Sequence, residues 1–147
     1  MFDSLYPTMQ WANYRSTWPH AQHSQFIQAG GIQWHVQIMG QGPVLLLLHG
    51  TGSGSFSWRS LMPLLSSHFQ VIAPDLPGHV FTSRGPEGSL SLQGMSEGLR
   101  ALLLQLNVTP SVIGGHSAGA AIAANMLLQQ RTLSKTQLIG FNPAWLP

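Results

Sequence analysis

The sequence contains no cysteine among its 147 residues. Disulfide bonds, thiolate nucleophiles and thiolate-bound metals are therefore excluded, and the chain suits a reducing compartment such as the cytoplasm. Charge is also scarce, because Asp, Glu, Lys and Arg together make up only 7% of the residues. Six basic residues against four acidic ones give a net charge of +2 without any basic run, so no nucleic-acid partner is predicted.

Long hydrophobic runs are missing as well. The apolar stretches VLLLL at 44–48 and LRALLLQL at 99–106 are far shorter than the roughly 20 residues that cross a bilayer, so no transmembrane segment is predicted. The first 20 residues lack the basic and apolar regions of a secretory signal. We therefore predict a cytoplasmic protein. Peripheral contact with a membrane through Trp11, Tyr14 and Trp18 is the alternative.

Metal-binding spacings are absent too. The seven histidines form no H-E-x-x-H or comparable pattern, so neither a metal nor another cofactor is predicted.

Apolar and polar residues alternate across residues 26–38, with polar positions at Gln33, His35 and Gln37. A period of two predicts a half-buried strand whose polar side chains face solvent. The turn signal at 29–31 predicts that this segment is an antiparallel hairpin at a sheet edge.

From residue 44 onward, predicted strands and helices alternate, which favours an α/β fold with a mostly parallel sheet and helices on both faces. The predicted strands are Val44 to Leu48, Val71 to Ala73, Ser111 to Gly114 and Gln137 to Phe141. The predicted helices are Ser57 to Ser66, Ser91 to Leu106 and Ala118 to Gln130.

The segment 115–119 reads GHSAG and lies between a predicted strand and a predicted helix. A G-x-S-x-G sequence in that context is typical of a nucleophile elbow, where a sharp turn exposes the serine hydroxyl. We predict Ser117 as the nucleophile and the backbone N–H of Ala118 as one oxyanion donor, because it starts a helix. The neighbours Gly115, His116 and Gly119 would support the turn. A simple small-residue turn is the alternative interpretation.

The loop HGTGSG at 49–54 follows the first buried strand, where such elbows find their second oxyanion N–H. We assign that donor to Thr51, with His49 and Gly50 as supporting residues. A phosphate-binding loop is not favoured, because Gly54 is followed by Ser-Phe in place of the Lys and Ser/Thr of a P-loop. A simple flexible loop is the remaining alternative.

The segments LLLLHGTGSGSFSWRSLMPLL, FQVIAPDLPGH and GGHSAGAAIAANML together resemble the α/β-hydrolase superfamily. From about Trp18 to the last residue, the chain is similar to the magnesium-chelatase accessory proteins of bacteriochlorophyll biosynthesis. This resemblance implies a role beside magnesium insertion into protoporphyrin. It also implies a small-molecule ester or tetrapyrrole-pathway ligand and magnesium chelatase subunits as partners.

The resemblance also shows what the chain lacks. In α/β-hydrolases the triad follows the order Ser, Asp or Glu, His, yet no Asp, Glu or His follows Ser117. We interpret Asp75, which follows a predicted strand, as a residue that holds its turn. His49 or His79 would have to act as an improvised base. Val80 replaces the glycine expected after DLPGH, so we expect that turn to be reshaped.

A whole hydrolase domain runs to roughly 250 residues, which is longer than this chain. We therefore expect an irregular N-terminal arm over 1–22 and, over 23–147, a truncated hydrolase domain without its cap and last strands. The strand at 137–141 would then be an exposed edge open to self-association or to a C-terminal half.

Three functions remain open from the sequence. The chain is the N-terminal part of a serine hydrolase-like accessory protein that is inactive alone, a non-catalytic protein that binds a tetrapyrrole or a partner, or a small esterase with an improvised base.

Overall fold

A six-stranded mixed β-sheet forms the centre of the protein in the computed structural model, which describes residues 9–144. The strands are β1 (Ser24–Ala29), β2 (Ile32–Met39), β3 (Val44–Leu48), β4 (Gln70–Pro74), β5 (Val112–His116) and β6 (Gln137–Phe141). The helices are α1 (Trp11–Tyr14), α2 (Met62–Leu65), α3 (Leu92–Leu106) and α4 (Ala118–Gln129). Short 3-10 helices span Ala21–His23, Ser55–Trp58 and Arg131–Leu133. The start of the predicted arm, residues 1–8, and residues 145–147 lie outside the described residues.

The strand order across the sheet is β1-β2-β4-β3-β5-β6. The β1–β2 and β2–β4 pairs are antiparallel, whereas β3 pairs in parallel with β4 and β5, and β5 pairs in parallel with β6. The sequence prediction of an edge hairpin followed by parallel strands is therefore confirmed. The central strand β3 is buried at all five positions, as its continuous apolar run predicted.

Two apolar layers hold the sheet. The larger joins one sheet face to α3 and α4 through fully buried side chains such as Leu46, Leu99 and Met126. Burying one such side chain contributes roughly 1.5–3 kcal/mol. The smaller layer packs Trp58 and Met62 against the other face. Helices therefore cover both faces and leave the carboxyl ends of the parallel strands to carry the loops.

The helix predicted over Ser57 to Ser66 is wrong as a single element. A 3-10 helix at Ser55–Trp58 and the four-residue α2 take its place. Pro63 provides the physical reason, because proline lacks the N–H of a helix interior and clashes with the preceding turn. It is tolerated at the start of α2, where the first N–H groups have no partner in the helix.

The polar face predicted for β2 is also wrong at two positions, since His35 and Gln37 are fully buried. Residues 11–23 lie over this face of β2. The Trp11 ring packs on the His35 ring at a centroid distance of 5.2 Å, and the Gln37 side-chain amide donates to the Pro19 carbonyl at 2.7 Å. A strand with two buried faces retains its alternation but needs partners for its polar side chains.

The outer strand β6 is exposed along most of its length, with Ile139 and Phe141 retaining 49% and 39% of their accessible surface. It forms one edge of the sheet within residues 9–144.

Candidate active site

The segment 115–119, here called the elbow, turns sharply between β5 and α4. Ser117 adopts φ 52° and ψ −119°, a strained conformation for a residue with a Cβ. Its N–H donates to the Phe141 carbonyl at 3.1 Å, and its own carbonyl accepts the N–H groups of Ala120 at 3.0 Å and Ala144 at 3.2 Å. Backbone bonds from β6 and α4 therefore hold the serine in place.

Glycines at both ends of the elbow allow the close approach that the turn requires. A Cβ on Gly115 would lie 2.5 Å from the Cα and N of Ala120. A Cβ on Gly119 would overlap the carbonyl oxygen of Leu48. Neither gap admits a side chain, so G-x-S-x-G here is a packing requirement of this turn.

The loop after β3 lies beside the elbow. A Cβ on Gly50 would be 3.3 Å from the Ser117 Cβ and 3.2 Å from the His116 Nδ1, so this loop borders the serine side chain. Within residues 9–144, no protein acceptor bonds the backbone N–H of Thr51 or of Ala118. Ala118 is the first residue of α4.

His49 is held as a neutral ring. Its Nε2 accepts the Leu76 N–H at 2.8 Å, so Nδ1 carries the proton and donates to the Gly50 carbonyl at 2.7 Å. Burial lowers the pKa of the His49 imidazole below its usual range. With both nitrogens occupied, His49 supports the loop and has no lone pair free for a proton from Ser117.

His79, the other candidate base, packs against His49 with a ring-centroid distance of 5.0 Å, and its Nδ1 lies 3.0 Å from the Pro77 carbonyl. His116 is exposed. In the described part of the chain, no histidine and no other side chain forms a hydrogen bond with the Ser117 hydroxyl.

Val80 retains the conformation that a glycine would favour. Its φ is 49°, in the left-handed region where a β-branched residue is strained, and its Cγ2 lies close to Gly54. Val80 therefore occupies a backbone conformation that glycine adopts more readily.

Asp75 holds loops together, as its position at a strand end predicted. The carboxylate is fully buried and accepts the Ser55 N–H at 2.7 Å and the Phe81 N–H at 3.4 Å. Its Oδ2 also accepts the Nδ1 proton of His35 at 2.7 Å, and the Nε2 of His35 lies 2.8 Å from the Ser24 Oγ. Sequence reasoning missed this contact between Ser24 and His35, since no spacing joins positions 24, 35 and 75.

The cavities elsewhere on the surface do not coincide with the elbow. One of about 440 Å³ lies between the β1–β2 turn and the start of α3, lined by residues that include Gly30, Pro86 and Gly94. Another of about 360 Å³ is lined by Trp11 and Phe81 among others. The chemistry of the elbow, rather than cavity size, therefore identifies the candidate active site.

No group of three or more His, Cys, Asp or Glu residues within the described range is placed to hold a metal ion. None of the helices at 9–144 is long and apolar enough to cross a membrane.

Comparisons with known proteins agree with this geometry. The family model of the α/β hydrolase fold matches residues 43–136. The magnesium-chelatase 30 kDa subunit of Rhodobacter capsulatus is 40% identical over 131 residues, which cover 88% of this chain and 45% of that protein. The 2-hydroxy-6-oxo-2,4-heptadienoate hydrolase of Pseudomonas putida is 33% identical over 107 residues, covering 71% of this chain and 39% of the hydrolase.

Solved structures show the same likeness. An epoxide hydrolase from Vigna radiata superposes with a TM-score of 0.72 at 30% identity, covering 80% of this chain and 37% of the enzyme. The chain spans less than half the length of each of these three proteins. The residues that the family model matches, 43–136, contain β3, β4 and β5, the loop after β3 and the elbow. The chain belongs to the α/β-hydrolase fold family.

Proposed function

We propose that Ser117 is the nucleophile of a serine hydrolase-type site. The observation that carries this proposal is the strained backbone of Ser117, with φ 52° between a buried strand and a helix start. Strain of this kind costs about 1–3 kcal/mol and persists only where surrounding structure enforces it, as active sites commonly do. A turn with a merely structural role has no need of a serine in this conformation.

The backbone N–H groups of Ala118 and Thr51 act in this proposal as the oxyanion hole. Both lack an acceptor in the described residues, and Gly50 brings the loop within contact distance of the Ser117 side chain. A pair of such donors stabilises the negative charge that develops on a carbonyl oxygen during acyl transfer.

The base and the acid come from outside these 147 residues in this proposal. His49 is neutral with both ring nitrogens bonded, and no Asp, Glu or His follows Ser117 in the sequence. Without a positioned base, a serine hydroxyl is a weak nucleophile at neutral pH. The chain alone would therefore hold a nucleophile and an oxyanion hole without turnover.

The biological setting we propose is magnesium insertion in (bacterio)chlorophyll biosynthesis. The support is the similarity to the relative named magnesium-chelatase 30 kDa subunit, at 40% identity over 88% of this chain. The substrate class is a small-molecule ester or a ligand of the tetrapyrrole pathway, and chelatase subunits are the proposed partners. The exposed edge of β6 would take up a C-terminal half or a second copy.

A fluorophosphonate probe tests the role of Ser117. The protein that carries this sequence in its source cells should be labelled at Ser117, and Ser117→Ala should abolish that label. The purified 147-residue chain should show no label at Ser117. Its intact mass in those cells, measured beside the label, should exceed the 16.0 kDa of this chain. An unlabelled Ser117 in the native protein would overturn the proposal.

A non-catalytic tetrapyrrole-binding protein is the second candidate, favoured by the lack of a base at Ser117 within residues 9–144. Protoporphyrin added to the native protein should then show a shifted Soret band that Ser117→Ala leaves unchanged. An unshifted band would remove this candidate.

A further inference from the structure

We propose that Ser24 is a second, base-activated nucleophile, independent of Ser117, that accepts acyl groups from small activated donors. Ser24 begins β1, and its Oγ lies 2.8 Å from the Nε2 of His35. The Nδ1 of His35 lies 2.7 Å from the Oδ2 of Asp75. A nucleophile within hydrogen-bond reach of a base, which a third group orients, is the arrangement that activates a serine. We call these three residues the Ser24 triad.

The hydrogen-bond partners determine where the protons lie. Asp75 accepts the N–H groups of Ser55 and Phe81, which suits an ionised carboxylate with acceptor oxygens only. Its remaining contact therefore takes a proton from Nδ1 of His35. In the neutral ring, Nε2 is then an acceptor and receives the hydroxyl proton of Ser24. This is the tautomer that general-base catalysis requires.

The surroundings hold the base rigidly. The His35 ring is fully buried and packs between Trp11 at 5.2 Å, Phe26 at 5.3 Å and Phe81 at 5.2 Å, measured between ring centroids. Its side-chain orientation is therefore set by packing as well as by Asp75. A base that needs no reorientation loses little entropy when it takes up a proton.

The three residues of the Ser24 triad differ in solvent exposure. Ser24 is only half-buried and lies on β1, the outer strand of the hairpin, whereas His35 and Asp75 are inaccessible. The Ser24 Oγ also accepts the side-chain N–H of the buried Gln37 at 3.2 Å, so only a small reagent that approaches from the β1 edge is expected to react there. Ser24 follows the 3-10 helix Ala21–His23 and so does not stand before a helix N-terminus with free N–H donors. Without an oxyanion hole, the reaction is confined to donors with a good leaving group.

The proposed step balances with p-nitrophenyl acetate as the probe. The Ser24 Oγ forms a bond to the acetyl carbon, and its proton passes to the His35 Nε2. The bond between the acetyl carbon and the phenolic oxygen breaks, and p-nitrophenolate leaves with the electron pair. The His35 imidazolium, stabilised by the Asp75 carboxylate, returns its proton to water. The products are acetylated Ser24 and p-nitrophenolate.

The intact 147-residue chain tests the proposal directly. After brief exposure to p-nitrophenyl acetate, peptide mass spectrometry measures the acetylation rate at each serine. Ser24 should react about 100-fold faster than the exposed Ser134 in the same molecule, since a positioned base contributes roughly 10²–10⁴. Equal rates at Ser24 and Ser134 would overturn the proposal. Label at Ser117 is counted separately, so this test and that of the elbow have separate outcomes.

A variant separates general-base assistance from simple exposure. His35→Gln retains a side chain that can donate to Asp75 but offers no base, and it should lower the Ser24 rate to that of Ser134. Near-ultraviolet circular dichroism of the packed Trp11 reports whether the variant is folded. If it is not, the parent chain in urea provides the comparison, where the Ser24 to Ser134 ratio should fall to about one. A folded His35→Gln chain that still acylates rapidly at Ser24 would refute the role of His35.

Discussion

Ser117 and Ser24 lie in two regions of the same sheet. The surroundings of each serine have features of a nucleophile site that the other lacks. Ser117 has the strained turn and two free backbone donors, but no side chain of residues 9–144 bonds its hydroxyl. Ser24 has a histidine at 2.8 Å, oriented by a buried aspartate, but no helix start beside it. Under our two proposals, the elbow supplies oxyanion stabilisation without a base, and the Ser24 triad supplies a base without that stabilisation.

The difference has a structural origin. The elbow depends on contiguous backbone, on glycines and on the carboxyl end of a parallel strand. The Ser24 triad depends on side chains separated by 11 and 40 positions, brought together by β1–β2 pairing and β2–β4 pairing. Contiguous backbone is therefore enough to form the turn of the elbow, whereas tertiary contacts are needed to bring a histidine to a serine.

Removing the carboxylate of the Ser24 triad should have the largest effect. Asp75→Ala leaves the buried Ser55 N–H and the His35 Nδ1–H without acceptors, and each unsatisfied group costs about 1–3 kcal/mol. We expect the free energy of unfolding in urea to fall by about 3 kcal/mol or more. Glu87→Ala, at an exposed carboxylate, is the control and should change it by less than about 0.5 kcal/mol. Equal losses would mean that Asp75 is not an anchor.

Filling the gap in the elbow should have the next largest effect. Gly119→Ala places a methyl group against the Leu48 carbonyl, and overpacking of this kind costs about 1–3 kcal/mol. The chain should unfold at lower urea, while acetylation of Ser24 persists. Leu128→Ala, at an exposed position of the same helix, is the control and should change the free energy of unfolding by less than about 0.5 kcal/mol. A larger loss for Leu128→Ala than for Gly119→Ala would contradict the packing argument.

Protonation of His49 should have the smallest effect on the free energy of unfolding. The His49 ring bonds Gly50 beside the elbow and Leu76 beside Asp75. Burial lowers its pKa in the folded chain below the ordinary 6.5, so only the unfolded chain takes up a proton near that pH. Its contribution to stability is therefore complete above about pH 6.5 and is lost as the pH falls toward the folded-state pKa.

Urea midpoints measured at about pH 7.5 and 5.5 check this sign, since the parent chain should be less stable at the lower pH. His49→Gln should reduce that difference, whereas the exposed His68→Gln should leave it unchanged. A parent chain that gains stability on acidification would reverse the assignment of a neutral His49.

Much of the fold follows from local pattern. Helix α3 begins one residue after its predicted start because the Ser91 hydroxyl caps it, accepting the Gly94 N–H at 2.9 Å. Strand β6 has the predicted bounds Gln137–Phe141. The helix expected at 57–66 is interrupted before Pro63, because a proline is excluded from the interior of a helix and is tolerated in its first turn.

The site was only partly predictable for a different reason. The sequence placed Ser117 between a strand and a helix, but alternation alone assigned His35 to a solvent face. Its burial depends on Trp11 and on residues 19–20 crossing β2, a contact that no periodicity encodes. Val80 likewise adopts φ 49°, a conformation that a β-branched residue disfavours and that local propensity does not predict.

The sequence by itself determined the α/β alternation, the apolar β3 and the G-x-S-x-G turn, because period, glycine and chain order act over a few residues. Only the tertiary structure decided that His49 is neutral and that Ser24 meets His35. These depend on burial and on hydrogen bonds between distant segments, and such interactions form only when the chain has folded.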